Sequence, residues 1–159
     1  IRSSTLSGNS VVGSGGGLYL HNHYYAVNVE NVTASGNTAA DAGGGVALDA
    51  ENDGTGLNFV TVTGNTATDG SGVNAYYADG TASPAITNPV IAGNTGGVDF
   101  EGNLDGTTLA FSAIGTENAT FTDGGGNLFA VAPMLGALAN NGGATQTHLP
   151  LAGSPQTPA

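Results

Sequence analysis

Two histidines two residues apart, His21 and His23, and two acidic residues at the same interval, Asp49 and Glu51, are the residues best suited to hold a divalent cation. Residues two apart on an extended strand share a face. Asp49 follows His21 by 28 residues and Glu51 follows His23 by 28, the period at which the chain also repeats itself. Strands one period apart, lying side by side, would bring two imidazoles and two carboxylates within one or two strand spacings. That donor set suits zinc or a similar divalent ion. The same four residues also read as a solvated outer face with a charge-assisted pair or two and no cofactor. Calcium on the acidic surface stands on the same footing, although no Asp-rich loop has EF-hand or nonapeptide spacing.

Other chemistry meets a shortage of cations. Glycoside hydrolysis needs two carboxyl groups about 5 to 9.5 Å apart, and Asp49 and Glu51 could approach Glu101 or Asp79 on neighbouring strands. Cleavage of uronates by elimination needs a base and cations to hold the carboxylate. The chain has one basic residue, Arg2, against 12 acidic ones, a formal charge of -11. The expectation is therefore a protein with no catalytic residues. Four tyrosines in two pairs, Tyr24-Tyr25 and Tyr76-Tyr77, stand out because aromatic residues make up only 6% of the chain. Tyrosines of this kind either stack on sugar rings or pack at a corner of the fold.

The elements that position these residues come from an internal repeat. Ser7-Gly8-Asn9-Ser10, Ser35-Gly36-Asn37-Thr38, Thr63-Gly64-Asn65-Thr66 and Ala92-Gly93-Asn94-Thr95 recur with their glycines at 8, 36, 64 and 93, hence spacings of 28, 28 and 29. A glycine-rich run trails each of them. Self-similarity at such a period signals stacked repeats. Seven residues before each glycine stand Ile1, Val29, Leu57 and Ile86, and two before stand Leu6, Ala34, Val62 and Ile91. Polar residues alternate between them, the mark of strands with one buried face. After each glycine run a second strand follows, with inward columns Leu18/Val46/Val73/Val98 and Leu20/Leu48/Ala75/Phe100. Like residues one period apart imply parallel, in-register strands. The fold expected is all-β, a right-handed parallel β-helix of about five coils with an irregular C-terminal cap.

The column Asn9, Asn37, Asn65 and Asn94 reads as an asparagine ladder, in which each stacked amide satisfies turn backbone and bonds to the next amide along the axis. Thr61-Val62-Thr63 resembles a flat ice-binding face, but its counterparts break the Thr-x-Thr pattern. The organisation expected is β-helix repeats over 1–102, a last irregular coil over 103–125, with Leu104-Asp105-Gly106 as a turn and 107–112 as a strand, and a capping segment over 126–159. In that segment Leu128, Phe129, Pro133, Met134, Leu135 and Leu138 are placed to close the open end of the solenoid, since terminal repeats are atypical for this reason.

The run from Gly126 to Pro155, with Gly-Asn-Leu-Phe, Pro-Met-Leu-Gly-Ala-Leu, Asn-Asn-Gly-Gly-Ala-Thr-Gln-Thr-His and Leu-Ala-Gly-Ser-Pro, resembles the C-terminal segment of the choice-of-anchor Q family. These are secreted bacterial proteins with a right-handed parallel β-helix like that of pectate lyases. The Ser-Gly-Asn-Thr and triple-glycine repeats are similar to the coils of the same family. Two departures stand out. The family continues past Gly-Ser-Pro into Ala-Ile-Asp, where this chain reads Gln156-Thr157-Pro158-Ala159, and the family's N-terminal cap has no counterpart here. The resemblance implies an extracellular or cell-surface location and supplies no catalytic motif.

Composition narrows the partners. A nucleic-acid binder needs Lys and Arg to neutralise phosphates. An anionic membrane surface repels so acidic a chain, and no apolar run reaches the roughly 18 residues of a spanning helix. Cysteine is absent. Ile1 falls within a repeat, which reads as a processed or trimmed precursor. The functional expectation is a non-enzymatic extracellular structural protein, a β-helix fibre, stalk or matrix subunit stacking head-to-tail with copies of itself. The alternative is an adhesin or glycan-binding module whose partners are surface glycans. A polysaccharide lyase or hydrolase ranks last.

Overall fold

A computed structural model describes residues 1–22, 25–50, 55–76 and 84–156. Among these there is no helix. The chain is all-β, with parallel sheets stacked as a β-solenoid wound through about three turns. The first repeat carries β1 (Arg2–Ser7), β2 (Ser10–Val11) and β3 (Leu18–Asn22). The second carries β4 (Asn28–Ser35), β5 (Thr38–Ala39) and β6 (Val46–Ala50). The third carries β7 (Gly56–Asn58), β8 (Thr61–Thr63), β9 (Thr66–Ala67) and β10 (Val73–Tyr76). The fourth carries β11 (Ala85–Thr87), β12 (Val90–Ile91), β13 (Thr95–Gly96) and β14 (Phe100–Leu109), and β15 (Ala113–Ile114) and β16 (Glu117–Asp123) complete the stack. Three sheets result, of seven, five and four strands.

The apolar columns read from the sequence are the core. Val29 pairs with Leu57 and Leu57 with Ile86, and all three are fully buried. Leu6, Ala34, Val62, Ile91 and Ile114 form the second column, each in register with the next. Each such side chain contributes on the order of 1.5–3 kcal/mol by leaving water. The first layer is the exception. Leu6, Leu18 and Leu20 are only partly buried, although their partners Ala34, Val46 and Leu48 are each 1% exposed.

The other inward column departs from expectation after the third repeat. Phe100, not Val98, pairs with Val73, and Gly102, not Phe100, pairs with Ala75. The corner before β14 holds three residues, 97–99, between the partners of Ala67 and Val73, against the five of 68–72 in the coil before, and a register two residues from the expected one keeps the same side chains facing inward. Leu104-Asp105-Gly106 does not turn but continues β14, because Leu104, at 1% exposure, belongs to the core. The irregularity falls between Asn103 and Thr108, where the register with β16 shifts.

Glycine serves two different purposes here. Gly36 adopts φ of +66° with open space where a Cβ would point, so left-handed backbone is its reason. At Gly45 a Cβ would lie 2.4 Å from Val62 Cγ1 and 2.7 Å from the carbonyl of Gly72, so close approach of adjacent coils is the reason. The bend in the seven-stranded sheet is made instead by Ser3, Asn31, Phe59, Asn88 and Phe111, all at φ between 46° and 53°. Left-handed backbone at phenylalanine is uncommon, and both rings are exposed.

The C-terminal segment divides. Leu128 bridges to Ala113, and Phe129 stacks on Phe121, which stacks on the buried Phe100, so this aromatic column covers the far end of the core. Pro133 onward turns back along the side. A Cβ on Gly93 would meet Pro133, His148 Nε2 bonds Ser35 Oγ at 2.9 Å, and Thr5 Oγ1 donates to the Gln146 carbonyl at 2.7 Å. The segment thus reaches from the fourth repeat to the first across the outer face of the seven-stranded sheet.

Candidate functional site

The asparagine ladder runs through the turns after β1, β4, β8 and β12. Asn37 Oδ1 accepts from the backbone N–H and Nδ2 of Asn9, at 3.0 and 2.9 Å. Asn65 Oδ1 accepts the same pair from Asn37, both at 2.9 Å, and Asn94 Oδ1 the same pair from Asn65, both at 2.9 Å. The Nδ2 groups of Asn37, Asn65 and Asn94 also donate to carbonyls of the preceding coil, those of Leu6, Ala34 and Val62 in turn. Asn37 and Asn65 are buried, and this bonding accounts for their amides.

The ladder ends on Asp99. Asp99 stands where the earlier coils have Gly17, Gly45 and Gly72, and its carboxylate takes the place of the next asparagine. Its Oδ1 accepts from Asn94 N–H at 2.7 Å and Asn94 Nδ2 at 2.8 Å, and its Oδ2 from Thr116 N–H at 2.9 Å and Thr116 Oγ1 at 3.1 Å. Asp99 is 5% exposed. Four donors compensate the burial of its charge. The repeat pattern pointed to the four asparagines but not to this residue, because Asp99 lies five positions downstream of the Gly-Asn motif.

The outer face of the five-stranded sheet carries the sequence-derived site residues. His21 and Asp49 meet as cross-strand partners, with Nδ1 2.8 Å from Asp49 Oδ2. His23 and Glu51 lie outside the described residues, and among those described no three His, Asp or Glu side chains converge. The metal set is therefore represented by one His–Asp pair. Tyr24 and Tyr77 also lie outside the described residues. Tyr25 is 80% and Tyr76 50% exposed.

Two further residues join this face. Tyr19 Oη donates to Asp49 Oδ2 at 3.3 Å, and its ring stacks on His21 with centroids 6.2 Å apart. Partial loss of solvent and the neighbouring Asp49 carboxylate hold the Tyr19 phenol above its ordinary value. Asn74, on β10, is 5% exposed, and its Nδ2 is buried without a hydrogen-bond partner among the described residues. Tyr19, Ala47, Asp49, Asn74 and Tyr76 line a hollow of about 290 Å³. The row Tyr19–Ala47–Asn74 was legible from the alignment of the strands after the glycine runs, the same alignment that paired His21 with Asp49. A second hollow, of about 410 Å³, lies between the turned-back segment and the sheet beside Thr33, Phe59 and His148.

Comparison with protein-family models, curated proteins and solved structures returns no match to this chain.

Proposed function

We propose that this chain is a non-enzymatic structural subunit, a right-handed β-helix of about five coils that stacks head-to-tail with its own copies outside the cell. The observation that carries the reading is the regularity of the stack: Val29, Leu57 and Ile86, like Asn37, Asn65 and Asn94, repeat coil on coil in one register. A rung of this kind can pair with a like rung by backbone hydrogen bonds and by burial together. A second copy supplying that rung makes a heterologous contact that does not close on itself, hence a fibre. The resemblance of the C-terminal run to the choice-of-anchor Q family agrees with a secreted, surface-associated protein, and we propose membership on that basis.

The test is assembly. Negative-stain microscopy and sedimentation over a range of concentrations should show rods that lengthen with concentration. Leu18→Lys with Leu20→Lys should leave folded monomers, since both side chains are only partly buried against the core and charges there oppose pairing with another rung. Wild-type protein that stays monomeric throughout would refute the reading.

A further inference from the structure

We propose that the hollow on the outer face of the five-stranded sheet binds a neutral pyranose, as one residue of a glycan, independently of end-to-end assembly. The argument starts from the orphaned amide. Asn74 is enclosed on β10, and its Nδ2 is closed to water with no acceptor among the described residues. A buried donor without a partner costs about 1–3 kcal/mol, and a ligand that draws the amide toward the hollow and supplies an acceptor recovers that cost on binding. An ammonium group has no lone pair to offer. A carboxylate or phosphate has one but must approach Asp49 on a chain whose formal charge is -11. A hydroxyl fits both demands, because it accepts from Asn74 and donates to a carboxylate.

The carboxylate is in place. His21 and Tyr19 both bond Oδ2 of Asp49, which leaves Oδ1 to accept from a ligand. Asp49 and Asn74 lie on adjacent strands, since Asp49 pairs with Tyr76 and Ala47 with Asn74. They are diagonal neighbours, about 7–8 Å apart, a separation that two neighbouring hydroxyls of one sugar ring can bridge with a hydrogen bond at each end. The floor between them is Ala47, whose small side chain makes room. Tyr19 and Tyr76 stand at diagonal corners, each about half exposed, and offer ring faces to the apolar face of a pyranose. A polyol with one apolar face is the ligand chemistry that uses all of these groups together.

The experiment titrates the full ¹⁵N-labelled chain with the methyl glycosides of glucose, galactose, mannose and N-acetylglucosamine, into the tens of millimolar, with glucuronate as the anionic comparison. At least one neutral glycoside should move the Asn74 side-chain amide signals along a saturating curve, with glucuronate about tenfold weaker. Tyr76→Ala should weaken binding about tenfold. Asn74→Ala, followed through the backbone amides of Ala47 and Asp49, should do the same. Tyr76 is exposed, so its variant keeps the test open should Asn74→Ala fail to fold. Absence of a saturating shift with all four glycosides would overturn the proposal, as would binding that survives Tyr76→Ala and Asp49→Asn undiminished.

Discussion

Replacing Asn65 with alanine should show how much of the fold rests on the amide ladder. Asn65 is fully buried; its side chain accepts two hydrogen bonds from Asn37 and donates to Asn94 Oδ1, the Ala34 carbonyl and the Thr63 carbonyl. Some partners survive the change. Asn37 Nδ2 keeps Leu6, and Asn94 Oδ1 keeps the backbone N–H of Asn65. The backbone N–H of Asn37 keeps nothing, at a cost of about 1–3 kcal/mol, and the four other lost bonds add about 1 kcal/mol each, so the total is about 5–7 kcal/mol. Asn9→Ala is the internal reference. Asn9 is exposed at the edge, and its own backbone N–H still satisfies Asn37 Oδ1, so the loss should stay below about 1 kcal/mol. Guanidinium unfolding followed by circular dichroism measures both. If the two variants fall within about 1 kcal/mol of each other, buried amide stacking does not hold the coils together and the reasoning fails. A domain of this size is stable by about 5–15 kcal/mol, so the Asn65 variant should lose a large share of it.

Two other outcomes follow from local geometry. Gly45→Ala should prevent soluble folding, with a Cβ 2.4 Å from Val62 Cγ1 and 2.9 Å from Asn65 Nδ2, whereas Gly36→Ala, at φ +66° in open space, should cost only about 1–2 kcal/mol by thermal unfolding. Asp123 accepts from the Gly125 N–H and from Asn127 Nδ2, which hold its carboxyl below the ordinary 3.8. Its contribution to stability is therefore present above the unfolded value and lost as pH falls through the folded one. An NMR titration should place its midpoint below that of a free aspartate, and Asn127→Ala should move it back up.

The stacking was legible in the sequence because identical chemistry recurred at one interval. Val29, Leu57 and Ile86 pointed to a shared column, and Asn37 and Asn65 to a shared ladder, without knowledge of any contact. What was not legible lay where the interval broke. The corner 97–99 is two residues shorter than 68–72 in the coil before, and only the fit of Phe100 against Val73 decides which of two same-parity registers is occupied. Leu104-Asp105-Gly106 carries turn chemistry, yet burial of Leu104 outweighs it. The turned-back C-terminal segment has no periodicity, and its course depends on single contacts such as His148 with Ser35. On the candidate site, aromatic pairs drew attention to Tyr76, while Tyr19 and Asn74 required asking which outward residues share a row with Ala47.

The bonding through Asn9, Asn37, Asn65 and Asn94 has a direction. The side-chain oxygens of Asn37, Asn65 and Asn94 each accept from the asparagine of the preceding coil, and the last link runs from Asn94 to Asp99. The stack is thus chemically an arrow. Any array built from it inherits that vector, and its two tips must grow by different rules.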